Sequence, residues 1–156
     1  MVISEDAAYN KMSALCARAE YCSGDIRKKL VRMGLCETDC ARVLKRLQQE
    51  RFVDDGRYAL SYSRDKARFS GWGEVKIRYM LRSKGVADGY IDDALAEVRE
   101  DSLYDGPLAT LLRRLFERER KKEGVDEYRI KASVISKAMA RGYTYAQISA
   151  IIGELE

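Results

Sequence analysis

The 156-residue sequence contains no histidine. The commonest general base and the commonest metal ligand are therefore both missing, which excludes triad hydrolysis and histidine-based metal sites. A single proline, Pro107, and the scarcity of runs rich in Val, Thr and Ile point away from sheet and toward helix. No apolar run approaches the roughly 18 residues needed to span a bilayer, and the opening MVISEDAAYN lacks a basic-then-apolar leader pattern. A cytoplasmic protein with no membrane partner is expected. Cysteine is scarce too: Cys16, Cys22, Cys36 and Cys40 are separated by five, thirteen and three residues, without the tight C-x-x-C pairs of zinc modules. They are read as reduced, small apolar side chains, and neither a metal nor any other cofactor is expected.

What the chain does have is charge and periodicity. Hydrophobic residues make up 46% and charged residues 35%, the balance of a folded chain with a heavily charged surface. The formal net charge is only +4, but between Arg64 and Lys84 seven bases (Arg64, Lys66, Arg68, Lys76, Arg78, Arg82, Lys84) face two acids (Asp65, Glu74). A local excess of this kind indicates an anionic partner more clearly than net charge does.

Three segments align on Gly34, Gly85 and Gly142: DIRKKLVRMGL, EVKIRYMLRSKGV and ASVISKAMARGY. Eight residues before each glycine stand Ile26, Ile77 and Val134, and four before it Leu30, Leu81 and Ala138. After the glycines come Cys40, Val43, Leu44, Leu47, then Ile91, Ala94, Leu95, Val98, then Ile148, Ile151, Ile152, Leu155, three amphipathic stripes in register. Each glycine fits a left-handed helix end, and the next helix is expected to start at a capping residue: Thr38 or Asp39, Asp88, and Thr144 with Gln147 as a capping box. A further helix is expected upstream of each pair, over roughly 7–21, 54–69 and 108–122. The expected fold is all-α, with three tandem three-helix repeats over 1–52, 53–104 and 105–156 forming an elongated, curved body.

The stretch RFVDDGRYALSY, residues 51–62, carries two adjacent aspartates. Side chains of neighbouring helical residues diverge by about 100 degrees, so Asp54 and Asp55 do not converge as a catalytic pair; as acids at a helix start they are structural. No other catalytic constellation is present. On the same helix Arg57, Ser61, Arg64 and Arg68 recur at helical spacing and line three guanidiniums along one stripe. After the turn FSGWG come Lys76, Arg78 and Arg82. With Trp72, which either stacks on a partner or plugs a corner between helices, these are the candidate partner- or DNA-binding residues. A secondary basic patch is expected at Arg114, Arg118, Lys121 and Lys122, where Arg113–Glu117 and Glu119–Lys122 have pairing spacing.

Tandem three-helix units with a tight turn raise helix-turn-helix DNA reading. The final helices begin ETDCARV, ADGYIDD and TYAQISA, however, acidic or neutral where base-reading side chains belong. The run FVDDGRYALSYSRDKARFSGWGEVKIRYMLRSKGV resembles instead the central signature of the RecX family, regulators of the RecA recombinase. CSGDIRKKLVRMG and IKASVISKAMARGYTYAQI resemble its first and third repeats, so the likeness runs over nearly the whole chain. The resemblance implies a non-enzymatic protein that binds along the groove of RecA filaments on DNA, restrains ATP hydrolysis and strand exchange, and contacts DNA itself, single-stranded or within the filament. Carried over by position, the acids at the helix start are Asp54 and Asp55, the basic face holds Arg57 and Arg64, and the glycine turn runs from Gly71 to Gly73. Glu74 departs from the basic or neutral residue usual after that turn. A monomer is expected; the alternative is a general nucleic-acid-binding helical module without a recombinase partner.

Overall fold

The computed structural model describes residues 3–101 and 106–155, among which nine α-helices and no strand occur. They are α1 (Glu5–Cys16), α2 (Ser23–Arg32), α3 (Glu37–Gln49), α4 (Asp55–Phe69), α5 (Glu74–Ser83), α6 (Asp88–Asp101), α7 (Pro107–Arg120), α8 (Glu127–Ala140) and α9 (Tyr145–Ile152). The second helix of each triplet ends at its aligned glycine, and Gly34, Gly85 and Gly142 have φ of 91°, 82° and 102°. That is the left-handed region in which a Cβ is costly, so the alignment rests on a backbone requirement. The aligned apolar positions supply the interior: Ile26, Ile77 and Val134 are buried, as are Leu30, Leu81 and Ala138. No helix among the described residues is long and apolar enough to cross a membrane.

Some boundaries differ from expectation. Helix α1 stops at Cys16 rather than near residue 21. Helix α3 is preceded by Cys36, without a side-chain cap bond, rather than by Thr38 or Asp39. Asp39 is engaged inside that helix, where its carboxylate takes the Arg42 guanidinium that also binds Glu5 at 2.7 Å. Asp88 is the first residue of α6. Thr144 forms the full capping box with Gln147.

By compactness the chain falls into two units, one of residues up to Ser61 with Leu81–Asp93, the other of Tyr62–Met80 with Ala94 onward. The three helices of the middle repeat are thus shared between them. The first unit is built on Ala8, Met12, Ile26, Leu30, Leu35, Cys40, Val43, Leu47 and Val53. The second is built on Leu111, Leu112, Leu115, Phe116, Ile130, Val134, Ala138, Tyr143, Ile148 and Ile152. Burial pushes the Cys22 thiol up to about 11, which suits an inert, reduced side chain.

A turn approaches the start of a helix backbone to backbone once in each unit. In the first, the Lys84 carbonyl lies against the start of α2: the Cys22 thiol donates to it at 3.8 Å, and a Cβ on Gly24 would collide with it. In the second, the Gly73 N–H donates to the Arg141 carbonyl at 2.8 Å and the Val75 N–H to the Gly142 carbonyl at 3.1 Å. A Cβ on Gly73 would sit 2.6 Å from the Gly142 oxygen. Free N–H groups at a helix start need acceptors, and at α5 the turn of the following repeat provides them.

The two aspartates divide this work. Asp54 accepts the Arg57 N–H at 3.0 Å and starts α4. Asp55 reaches back to the first repeat, accepting the Ser23 N–H at 2.7 Å and its hydroxyl at 2.6 Å. It thereby closes the start of α2, whose own cap residue Cys22 makes no side-chain bond to the N–H groups of that helix. A different carboxylate is buried in the third repeat: Glu119 accepts from Lys122 at 3.0 Å and from Lys137. These two ammonium partners hold it down at about 2.

Three stability measurements follow from this architecture. Gly73→Ala is expected to cost about 1–3 kcal/mol by overpacking against backbone, whereas Gly89→Ala, with open space around it in α6, should gain about 0.4–1 kcal/mol; denaturant melts separate the two. Asp55→Ala should cost about 1.5–3 kcal/mol and Asp54→Ala only about 1 kcal/mol, an order that reverses if both merely start α4. Glu119, depressed from an ordinary value of 4.5, stabilises the fold fully above that pH and loses its contribution as pH falls toward about 2. Glu119→Gln should therefore flatten the melting temperature over that acid window.

Candidate functional site

The end of α4 folds back on itself. The Lys66 carbonyl accepts N–H bonds from Ser70 at 3.2 Å and Trp72 at 3.0 Å, and Gly71, at φ 66°, makes the reversal. Trp72 is thereby returned over the helix it has just left. Its ring lies edge-on to Tyr62, centroids 6.4 Å apart, with the Lys66 ammonium 4.8 Å and the Lys76 ammonium 4.5 Å from its centre. Lys66 also stands 5.5 Å over the Tyr62 ring. Two cations share one half-buried indole, an arrangement that holds both long side chains against an aromatic face.

The turn is secured from the third repeat. Arg141 donates to the Ser70 carbonyl at 2.7 Å, and the Tyr143 hydroxyl donates to the Trp72 carbonyl at 3.2 Å. Burial raises the Tyr143 phenol to about 12, so it stays a donor throughout the physiological range. Trp72 also borders a cavity of about 450 Å³, lined further by Ile77, Leu95, Tyr143 and Ile151. It is half-buried between that cavity and the two ammonium groups.

The arginines of the predicted stripe have different surroundings. Arg57 donates to Glu20 at 2.7 Å and to the carbonyls of Arg51, at 3.2 Å, and Phe52, at 3.4 Å, so it ties the end of α3 to α4. Arg64 is held by Asp101 at 2.9 Å and Glu97 at 3.2 Å, and Arg82 by Asp88 at 2.7 Å. Arg68 is exposed and has no ion pair among the described residues. It joins Arg64, the exposed Phe69 and Arg114 around a cavity of about 260 Å³. One member of the expected secondary patch thus lies beside the central one. Arg118 and Lys121 are exposed, while Lys122 is engaged with Glu119. Glu74, which follows the turn as the first residue of α5, is paired with Arg99 at 2.8 Å.

Lys66 and Tyr62 were not predicted as site residues. Their signal in the sequence was the i, i+4 spacing that stacks them on α4, and only the fold-back at Gly71 brings Trp72 onto the same face.

Known proteins resemble this chain in sequence and in fold. Residues 54–95 match the family model described as RecX, second three-helix domain. The regulatory protein RecX of Clostridium acetobutylicum is 33% identical over 132 residues, which are 84% of this chain and 60% of that protein. The regulatory protein RecX of Halorhodospira halophila is 34% identical over 100 residues, 64% of this chain and 62% of that one. The chain thus spans about 60% of the length of these curated relatives. A crystal structure of a regulatory protein RecX superposes with a TM-score of 0.82 at 27% identity, covering 96% of this chain and 73% of the other. The crystal structure of RecX from Lactobacillus salivarius shares the fold, with a TM-score of 0.81 at 22% identity over 97% of this chain and 96% of the other. On its middle-repeat signature, its repeated helical fold and these relatives, the chain belongs to the RecX family.

Proposed function

We propose that this chain is a non-enzymatic regulator that binds along filaments of the RecA recombinase on DNA and restrains their ATP hydrolysis and strand exchange, acting in the cytoplasm as a monomer. The observation that carries the reading is the Lys66–Trp72–Lys76 cluster on a turn whose backbone is held from the third repeat. A pre-ordered aromatic with two fixed cations is the chemistry of an interface anchor, because little conformational freedom is lost on binding. Arg68 and Arg114, beside exposed Phe69, extend the cationic surface within the same unit. The secondary residues Arg118 and Lys121, with Arg64 and Arg78 of the same unit, shape its electrostatic surroundings, and Arg57 and Arg82 are further candidate contacts in the other unit.

A second reading, a nucleic-acid module without a recombinase partner, draws on the same indole, since aromatics and cations also stack on bases. Titration into RecA filaments preformed on single-stranded DNA separates the two. ATP hydrolysis should fall at protein concentrations far below those that coat naked DNA at the same salt. The half-inhibiting concentration should rise about tenfold or more for Trp72→Ala and for Lys66→Gln/Lys76→Gln, the second pair guarding against loss of packing in the first. Inhibition that begins only as the DNA itself saturates sinks the filament reading in favour of the simple binding module.

A further inference from the structure

A second cationic surface lies in the other compact unit. Along α2 the outward positions are Arg27, Lys28, Val31 and Arg32, and the turn of Ser83, Lys84 and Gly85 closes a shallow groove against them. The groove exists because backbone approaches backbone: the Lys84 carbonyl occupies the space a side chain on Gly24 would need. The Lys84 ammonium stands at the rim, 3.4 Å from Asp25. Arg27 reaches Glu37 at 3.1 Å with both side chains more than half exposed. A surface pair of that kind contributes little and exchanges readily for another anion. Lys28 and Arg32 are exposed and have no ion pair among the described residues. Against these four cations stand the two carboxylates Asp25 and Glu37.

Interfaces between proteins concentrate affinity in buried aromatic and apolar anchors, and here the apolar content is Val31 alone. An open, cationic, anchor-free groove fits the phosphodiester backbone, which is read by charge and without sequence preference. The internal repeat shows that the helix does not need these charges to fold. Where the first repeat has Arg27, Lys28, Val31 and Arg32, the third has Ile135, Ser136, Met139 and Ala140. We propose that α2 and the Ser83–Gly85 turn form a phosphate-backbone contact for a nucleic-acid strand, separate from the Trp72 cluster and independent of a recombinase partner.

The test is fluorescence anisotropy of a labelled single-stranded oligothymidylate, titrated with the full chain at several salt concentrations. Lys28→Gln/Arg32→Gln should lose roughly tenfold in affinity near 0.1 M salt and about 1.4 from the log–log salt slope, two single-strand contacts at about 0.7 each. Lys11→Gln/Lys45→Gln, which removes the same charge from exposed positions outside the groove, is the control and should keep the slope. Melting temperatures establish that each variant is folded. A groove variant that binds like the control overturns the proposal. If that variant binds the oligonucleotide normally yet no longer restrains the filament, the groove meets acidic protein surface: the phosphate contact falls and the filament reading stands. Groove-dependent binding by a protein that leaves filaments unaffected gives the opposite result, with the phosphate contact upheld and the filament reading lost.

Discussion

The structure depends on backbone meeting backbone where a glycine turn of one repeat approaches the start of the middle helix of the repeat before it. A helix start carries N–H groups that must be satisfied, and side-chain caps are the usual means. Here α5 has glycine at that position and takes its acceptors from Arg141 and Gly142, while α2 has cysteine there and relies on Asp55 with the Lys84 carbonyl alongside. Side chains at Gly73 or Gly24 would fill the space through which these contacts are made. Repeats that individually bury little surface are thereby joined through directional bonds as well as through apolar packing.

The repeat was legible in the sequence because its signals are local. A left-handed helix end demands glycine, and an apolar stripe at helical spacing demands a core, so Gly34, Gly85 and Gly142 with their flanking residues fixed the register. What escaped were partners far along the chain. Asp54 was readable as the start of α4 from its neighbours, whereas the Asp55 acceptor role depends on Ser23, 32 residues upstream. Thr38 and Asp39 looked like caps by residue type, yet the Arg42 guanidinium, shared with Glu5, claims Asp39 and leaves Cys36 at the boundary. Competition between a local and a distant partner is not encoded in spacing.

The candidate site shows the same division. Counting charge between Arg64 and Lys84 located a cationic region, but it could not sort cations by company. Arg57, Arg64 and Arg82 are bound to the chain's own carboxylates, whereas Lys66 and Lys76 rest on the Trp72 ring. The difference is physical. A paired arginine meets another anion only by exchanging its carboxylate, a small cost where both side chains are exposed, while an ammonium on an indole face keeps its charge uncompensated.

The third repeat follows a different logic from the first two. Position 130, which corresponds to Cys22 and Gly73, lies inside α8, four residues beyond the cap Asp126, whose side chain accepts the Arg129 N–H. This middle helix therefore supplies its own cap. Ser136, Met139 and Ala140 on its exposed side carry no charge, and the buried Glu119 of α7 is paired with Lys122 and Lys137. What the repeat gives to the rest of the molecule is its turn: Arg141, Gly142 and Tyr143 bind the backbone of Ser70, Trp72, Gly73 and Val75. The conformation of the aromatic turn is thus set by residues some 71 positions downstream. Any change that loosens the third repeat frees the indole and its two cations before it touches them, so stability of that repeat and order at the site are one property rather than two.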